Sequence, residues 1–127
     1  MSEVLIFDKD GAVERVDGDC ELLKELGEIF LEDFTMQLKE IQTAISKSDY
    51  YGLNRKAHSI KSALGNLGAM KAHATALEME LEGRNENFQR APALLEELQH
   101  DVEEYFRELK IFLKEKGLEL DISLVTN

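Results

Sequence analysis

Apolar residues recur every three or four positions along four segments of this chain, and this periodicity constrains the fold more than any other feature. Such spacing places each set on one face of an α-helix, so that the face can be buried. The four stripes are, in chain order, Leu23, Leu26, Phe30, Phe34, Leu38, Ile41 and Ile45; then Leu53, Ala57, Ile60, Leu64 and Leu67; then Ala72, Ala76, Leu77 and Met79; and finally Leu94, Leu98, Val102, Tyr105, Leu109 and Phe112. The sequence therefore predicts four amphipathic helices.

Residues that favour helix starts precede three of these segments. Asp17 or Asp19 is predicted to cap the first helix, because a short side-chain oxygen accepts hydrogen bonds from the free N–H groups of a first turn. The turn at 46–49 offers similar residues before the second helix. Pro92 fits the first turn of the fourth helix, where its missing N–H costs nothing.

Glycines mark the expected helix ends. Gly68, Gly83 and Gly117 each follow a periodic segment, and glycine ends a helix readily because it adopts a left-handed conformation. Gly27 lies inside the long first segment and predicts a break or kink there. The third helix is accordingly expected from about residue 69 to 82.

Long helices joined by short polar turns predict an all-α protein, an antiparallel four-helix bundle over residues 19–117. Residues 1–18 contain two glycines and a short apolar run, and are predicted to form an N-terminal arm or a short helix. The tail, 118–127, either packs on the bundle or begins a linker. With 127 residues, the chain is expected to hold one domain.

Composition narrows the class of partner and the location. The chain carries 26 acidic and 15 basic residues, a formal net charge of −11, which disfavours nucleic acid and anionic membrane surfaces as partners. Cys20 is the single cysteine, so no internal disulfide forms, and it is expected to be half-buried. The N-terminus lacks a basic, apolar export signal and no apolar run approaches about 18 residues, so the expected location is cytoplasmic.

His58 stands out because it lies off the apolar stripe of its helix. Residues three, four and seven positions away share its face, and those of interest are Asn54, Arg55, Lys61, Ser62 and Gly65. None of them is acidic. A neutral imidazole is a competent nucleophile near pH 7, and phosphoryl transfer needs positive charge beside the phosphoryl oxygens. Lys61 is one turn away and is predicted to supply that charge.

The stretch AHSIKSALGNLGA, residues 57–69, resembles the signature of histidine phosphotransfer (HPt) domains. The matching positions are Ala57, His58, Ile60, Lys61, Ser62, Ala63, Gly68 and Ala69. The resemblance extends over most of residues 17–115. It departs at Ser62, where the family commonly has glycine.

The resemblance implies a role for each site residue. His58 would accept the phosphoryl group through its Nε2 atom, and Lys61 would stabilise it. Glu80 matches a position from which some members contact the other ring nitrogen. Gly65 and Gly68 are interpreted as residues that keep the surface open to a partner.

Two residues beside His58 keep alternative interpretations. The Ser62 hydroxyl either contacts the phosphoryl group or bonds back to the carbonyl of Asn54 or His58 in its own helix. Arg55 either supports the phosphoryl group or pairs with an acidic neighbour.

The implied partners are response-regulator receiver domains and, in some pathways, a sensor histidine kinase. The implied function is a phosphohistidine carrier of a phosphorelay, acting as a monomer without its own cofactor, with Mg²⁺ held by the receiver. The chain shows no Gly-rich ATP-binding loop. Two alternatives stay open: the phosphoacceptor domain of a chemotaxis-type kinase, and a helical interaction module that does not use His58 chemically. Whether the chain is free-standing or the C-terminal part of a hybrid histidine kinase also stays open.

Other polar and aromatic residues are expected to be structural. His73 and His100 lack comparable neighbours and are predicted at the surface, and the acidic stretch 96–104 is predicted to be a solvated helix face. A third ligand for a zinc site is not apparent at any spacing. Core positions are predicted for four phenylalanines: Phe30, Phe34, Phe106 and Phe112.

Overall fold

The computed structural model describes residues 4–125, and within that range the chain forms five α-helices. They are α1 (Lys9–Arg15), α2 (Cys20–Ser46), α3 (Tyr50–Asn66), α4 (Met70–Arg84) and α5 (Ala91–Glu115). Helices α2 to α5 form the predicted bundle, so the all-α fold class is confirmed. No helix in this range combines the length and the apolarity needed to cross a membrane.

Most of the bundle core comes from the predicted stripes, and Phe106 and Leu113 of α5 complete it. The largest fully buried side chains are Tyr105, Phe106, Leu23, Ile41, Leu53, Ile60, Leu64, Met79, Leu94, Leu98, Leu109 and Leu113. The Tyr105 hydroxyl donates to the Leu67 carbonyl at 2.6 Å, which satisfies its polar atom inside the core. Burial raises the pKa of that hydroxyl.

Two predicted stripe residues are wrong. Leu26 and Leu77 are both more than a third exposed. Each lies at the edge of its stripe, where a fraction of a helical turn separates a buried from a solvent-facing position. Phe112 is half-buried at the margin of the core, whereas Phe30, Phe34 and Phe106 are buried as predicted.

The helix starts follow the capping residues. Asp19 caps α2 by accepting the Leu22 N–H at 3.1 Å, and Asp49 caps α3 by accepting the Gly52 N–H at 2.8 Å. Pro92 lies in the first turn of α5 as predicted. Local side-chain chemistry therefore decides where these helices begin.

Two glycines that the sequence predicted to interrupt or end a helix lie inside one. Helix α2 runs without a break through Gly27, which is buried and packs against Leu109 and Phe106 of α5. Gly83 is not a helix end: it lies within α4, which continues to Arg84. A Cβ atom on Gly83 would lie 2.6 Å from the Asn54 backbone N, so this glycine lets α4 approach α3 closely.

The N-terminal residues form the short helix α1 and a segment that packs on the bundle. Phe7 is buried, and its ring contacts those of Tyr105 and Phe112 edge-on at centroid distances of 5.2 and 5.7 Å. The Asp8 N–H donates to the Gly68 carbonyl at 2.8 Å. This hydrogen bond joins the chain ahead of α2 to the turn between α3 and α4. The turn follows the end of α3, the helix that carries His58.

The C-terminal tail also packs on the bundle instead of leaving it. Leu120 and Ile122 are buried. Gly117, with φ +78°, ends α5 as predicted. The predicted N-terminal arm extends into residues 1–3 and the tail into 126–127, which lie outside the described residues.

Candidate functional site

His58 lies in the middle of α3 with its side chain 60% exposed. Its neighbours Ala57 and Ile60 are buried in the core. They fix the rotation of the helix, and the imidazole therefore projects outward from a rigid element. This placement agrees with the position of His58 off the apolar stripe.

Glu80 of α4 contacts the His58 imidazole across the cleft between α3 and α4. This α3–α4 cleft is bordered by His58, Lys61 and Gly65 on α3 and by Glu80 on α4. Its Oε2 atom lies 2.6 Å from His58 Nδ1, and its Oε1 atom accepts a hydrogen bond from Lys61 Nζ, also at 2.6 Å. The Glu80 side chain is only 5% exposed. One buried carboxylate thus contacts both residues that the motif singled out.

The Glu80 carboxyl is charged at neutral pH. Burial alone would raise its pKa, but the hydrogen bonds from Lys61 and His58 outweigh burial and hold the pKa below its ordinary value. An ionised carboxylate only accepts hydrogen bonds. The Nδ1 atom that faces this carboxylate therefore carries a ring proton, and Nε2 lies on the opposite, exposed side of the ring.

Lys61 brings positive charge to the site, although not in the free state that the sequence suggested. Its side chain is only 19% exposed, and its ammonium group is bound to Glu80. An anion arriving at His58 Nε2 would compete with Glu80 for that ammonium group. Lys61 thus lies one helical turn from His58, as expected, and its charge is already paired with that of Glu80.

The remaining polar residues of this face have other partners. The Ser62 hydroxyl donates to the His58 carbonyl at 3.1 Å, which is the intrahelical alternative predicted for it. Arg55 contacts Tyr51, through a 3.4 Å hydrogen bond to the hydroxyl and with its guanidinium over the ring. The Asn54 amide donates to the Glu80 backbone carbonyl at 3.0 Å. Asn54 therefore joins α3 to α4 beside the site.

The two glycines of the motif differ in their surroundings. Gly68 is buried with φ +74°, and a Cβ atom there would lie 2.8 Å from the Asp8 carbonyl oxygen. The interpretation of Gly68 as open to a partner is wrong, because α1 and the segment before it cover this residue. Gly65 is half-buried, and a Cβ atom there would lie 3.2 Å from Cδ2 of His73.

His73 is a residue of this cleft that sequence reasoning missed. It is half-buried, so the prediction of a surface position is wrong, whereas His100 is exposed as predicted. Spacing holds a weak signal, because His73 lies seven residues before Glu80 and so shares its helix face. The sequence does not show that Gly65 leaves room for the ring.

One acidic residue away from the site departs from its prediction. Asp101, in the stretch expected to be solvated, is buried between α4 and α5. Its Oδ2 atom accepts a 2.6 Å hydrogen bond from the Thr75 hydroxyl, and Lys71 Nζ lies 3.8 Å from its Oδ1 atom. Cys20 is half-buried as predicted.

Comparison with known protein families shows to which family this chain belongs. The model of the Hpt domain matches residues 25–108, about two thirds of the chain and all of the His58 site. This chain belongs to the Hpt domain family. The resemblance of residues 57–69 to the family signature is thereby confirmed.

Individual relatives of this Hpt domain agree with that assignment. The phosphorelay intermediate protein rdeA of Dictyostelium discoideum is 25% identical over 108 residues, which cover 85% of this chain and 42% of that protein. The chain thus spans less than half the length of this relative. The crystal structure of histidine-containing phosphotransfer protein B from Pseudomonas aeruginosa superposes with a TM-score of 0.73 at 24% identity, over 87% of this chain and 93% of that one. This second likeness concerns the fold.

Proposed function

We propose that this Hpt domain is a phosphohistidine carrier of a phosphorelay. It accepts a phosphoryl group on His58 Nε2 from the aspartyl phosphate of a receiver domain and passes it to another receiver. The observation that carries the proposal is the 2.6 Å contact between His58 Nδ1 and Glu80, which holds Nδ1 as the hydrogen-bond donor and leaves Nε2 of an exposed ring to meet a partner. Family membership supports it.

The arrangement of this site supports the following course of the transfer. The Nε2 lone pair attacks phosphorus in line, so a P–N bond forms while the bond between phosphorus and the aspartyl oxygen breaks, and its electron pair stays on the released carboxylate. The ring gains a positive charge, which the Glu80 carboxylate stabilises through Nδ1–H. Lys61 turns from Glu80 toward the phosphoryl oxygens. The reverse sequence delivers the group to the second receiver.

We expect Mg²⁺ to be contributed by the receiver. Among residues 4–125, no three His, Cys, Asp or Glu side chains are grouped closely enough to hold a metal ion. Lys61 offers a positive charge beside His58, through its contact with Glu80. The neighbouring Lys56 is engaged by Glu40 at 2.5 Å.

Exposed apolar side chains flank the site on α4. Leu77 lies one turn before Glu80 and Leu81 directly follows it, and both are more than a third exposed. We expect a receiver to cover them when it brings its aspartyl phosphate to Nε2, because burying apolar surface stabilises a transient complex.

The proposal is tested by mixing the protein with receiver domains phosphorylated by acetyl phosphate in the presence of Mg²⁺. We expect an acid-labile, base-stable phosphate on the wild-type chain, none on His58→Gln, and wild-type labelling of His100→Gln, which alters an exposed histidine of α5. No labelling by any receiver of a broad panel, or labelling of His58→Gln, would overturn the proposal.

A further inference from the structure

The α3–α4 cleft contains a second histidine that the proposed transfer does not use. His73 of α4 is half-buried against Gly65, which lies one helical turn beyond Lys61 and two turns beyond His58 on the same face of α3. Two turns correspond to roughly 10 Å along the helix. His73 is therefore close enough to sense a charge placed on His58, but too far to touch it.

The surroundings of His73 keep it neutral in the resting protein. Burial lowers the pKa of its imidazole, and the positive charge of Lys61 lowers it further, while the negative charge of Glu80 acts in the opposite direction. Among the described residues, these two, Lys61 from α3 and Glu80 from α4, are the charged groups that act on it. The ring is thus uncharged near pH 7 but remains next to groups that phosphorylation would disturb.

Phosphorylation changes the charge of this cleft. The phosphoryl group adds two negative charges and the His58 ring gains one positive charge, so the site becomes more negative by one. Lys61, which opposes a proton on His73, is drawn toward the phosphoryl oxygens. Both changes favour a proton on His73, and that proton comes from solvent.

We propose that His73 is a proton-accepting member of the phosphotransfer site, which binds a proton when His58 is phosphorylated and thereby retains the phosphoryl group more strongly as the pH falls. The inference rests on the proposed function of His58. Because linkage is reciprocal, a phosphoryl group that favours the protonated ring is itself favoured by the proton. His73 acts through charge, as a positioning residue, and does not touch the reacting atoms.

The first test needs no receiver. The chain has three histidines, so the His100→Gln variant retains only His58 and His73. It is phosphorylated with phosphoramidate, a chemical donor for exposed imidazoles, and the His73 ring is titrated by NMR before and after. We expect the titration midpoint of His73 to rise on phosphorylation. The double variant His58→Gln/His100→Gln, treated identically, should show no rise.

The second test measures the consequence for transfer. The equilibrium between the phosphorylated Hpt domain and a receiver is determined between pH 6 and pH 8 for wild type, His73→Gln and His100→Gln. A single charge at about 10 Å should make phosphoryl retention at pH 6 roughly two- to fivefold greater in wild type than in His73→Gln, relative to pH 8. The His100→Gln control should follow the wild type.

The two tests separate the failure of the inference from the failure of the proposed function. If no receiver transfers to His58, the phosphorelay role fails, while the NMR titration still decides whether His73 senses the phosphoryl group. An unchanged His73 midpoint would overturn the inference even where transfer is efficient. Identical pH profiles for wild type and His73→Gln would do the same.

Discussion

At the scale of single residues, Glu80 uses its two oxygens for two different purposes. One orients the His58 imidazole and the other holds the Lys61 ammonium group, each at 2.6 Å. Because a buried carboxylate with two donors stays ionised, it fixes both partners without needing a proton of its own. The substitutions that separate these purposes are Glu80→Gln and Glu80→Ala.

The tautomer of His58 is the first readout. In Glu80→Gln the amide oxygen can still accept Nδ1–H, so we expect the same tautomer with weaker retention of Lys61. In Glu80→Ala the ring loses its partner, and the two neutral tautomers should become mixed in the ¹⁵N spectrum of the imidazole. The phosphorylation rate should fall about tenfold, which corresponds to the loss of roughly one hydrogen bond to a charged group. An unmixed tautomer in Glu80→Ala would contradict this role.

The pKa of Glu80 gives a second prediction, on stability. The pKa of Glu80 in the folded protein lies below its ordinary value. Its contribution to the free energy of unfolding is therefore complete above about pH 4.5, and is lost as the pH falls through the lowered pKa of the folded state. We expect Glu80→Gln to lower the free energy of unfolding by about 1–2 kcal/mol at pH 7, and by progressively less in more acid solution. Urea unfolding measured across this range checks the sign.

A surface carboxylate on the same helix supplies the control for that measurement. Glu78 pairs with Arg90 at 3.3 Å, and both side chains are about half exposed. The substitution Glu78→Gln should change the free energy of unfolding by less than about 1 kcal/mol, since exposed pairs contribute little. Equal effects of the two substitutions would show that the buried contacts of Glu80 stabilise the fold no more than the exposed Glu78–Arg90 pair does.

The sequence predicted His58, the proposed phosphoacceptor, but only part of its surroundings. His58 and Lys61 lie on one helix, so their spacing alone places them together. Glu80 is 22 positions away and entered only through the family resemblance. His73 was missed because its neighbour, Gly65, belongs to another helix, and such contacts are set by how closely two helices approach.

At the scale of helices, α3 and α4 approach each other so closely that one glycine determines their distance. A Cβ atom at Gly83 would lie 2.6 Å from the Asn54 N and 2.8 Å from the Tyr50 carbonyl oxygen. Both are backbone atoms, so neither can swing away. The sequence identified this glycine as a helix end, because propensity alone does not distinguish a glycine needed for packing from one needed for termination.

We predict that two glycine substitutions inside helices change the free energy of unfolding by different amounts. Gly83→Ala should lower the free energy of unfolding by about 2–3 kcal/mol, because the overpacking exceeds the gain in helix propensity. Gly27→Ala should be nearly neutral, because the atoms it meets at 3.2 and 3.4 Å belong to the side chains of Leu109 and Phe106. Urea unfolding followed by circular dichroism compares them; equal losses would contradict the distinction.

At the scale of the whole molecule, the core extends beyond the 25–108 range that matches the family. Phe7 precedes that range, Leu120 and Ile122 follow it, and all three are buried. The sequence predicted the bundle well, because helical periodicity is a local property. It left the terminal segments undecided, since short apolar runs do not show what they will pack against.

We therefore expect the terminal segments to unfold together with the bundle. Phe7→Ala should lower the free energy of unfolding by about 3 kcal/mol, as is typical for a buried phenylalanine that contacts two aromatic rings. Leu5→Ala, two residues away and 60% exposed, should change it by less than about 0.5 kcal/mol. If both variants unfold like the wild type, the N-terminal segment is not part of the cooperative unit.

The shared carboxylate of Glu80 also has a genetic consequence. A variant that lacks Lys61 leaves one oxygen of a buried anion unpaired, so it should lose stability as well as phosphoryl transfer. A second substitution, Glu80→Gln, removes that anion and should restore the abundance of the protein while leaving the relay broken. Changes at 61 and 80 are therefore expected to show epistasis, and a screen for suppressors of instability should recover position 80 while one for restored signalling should not.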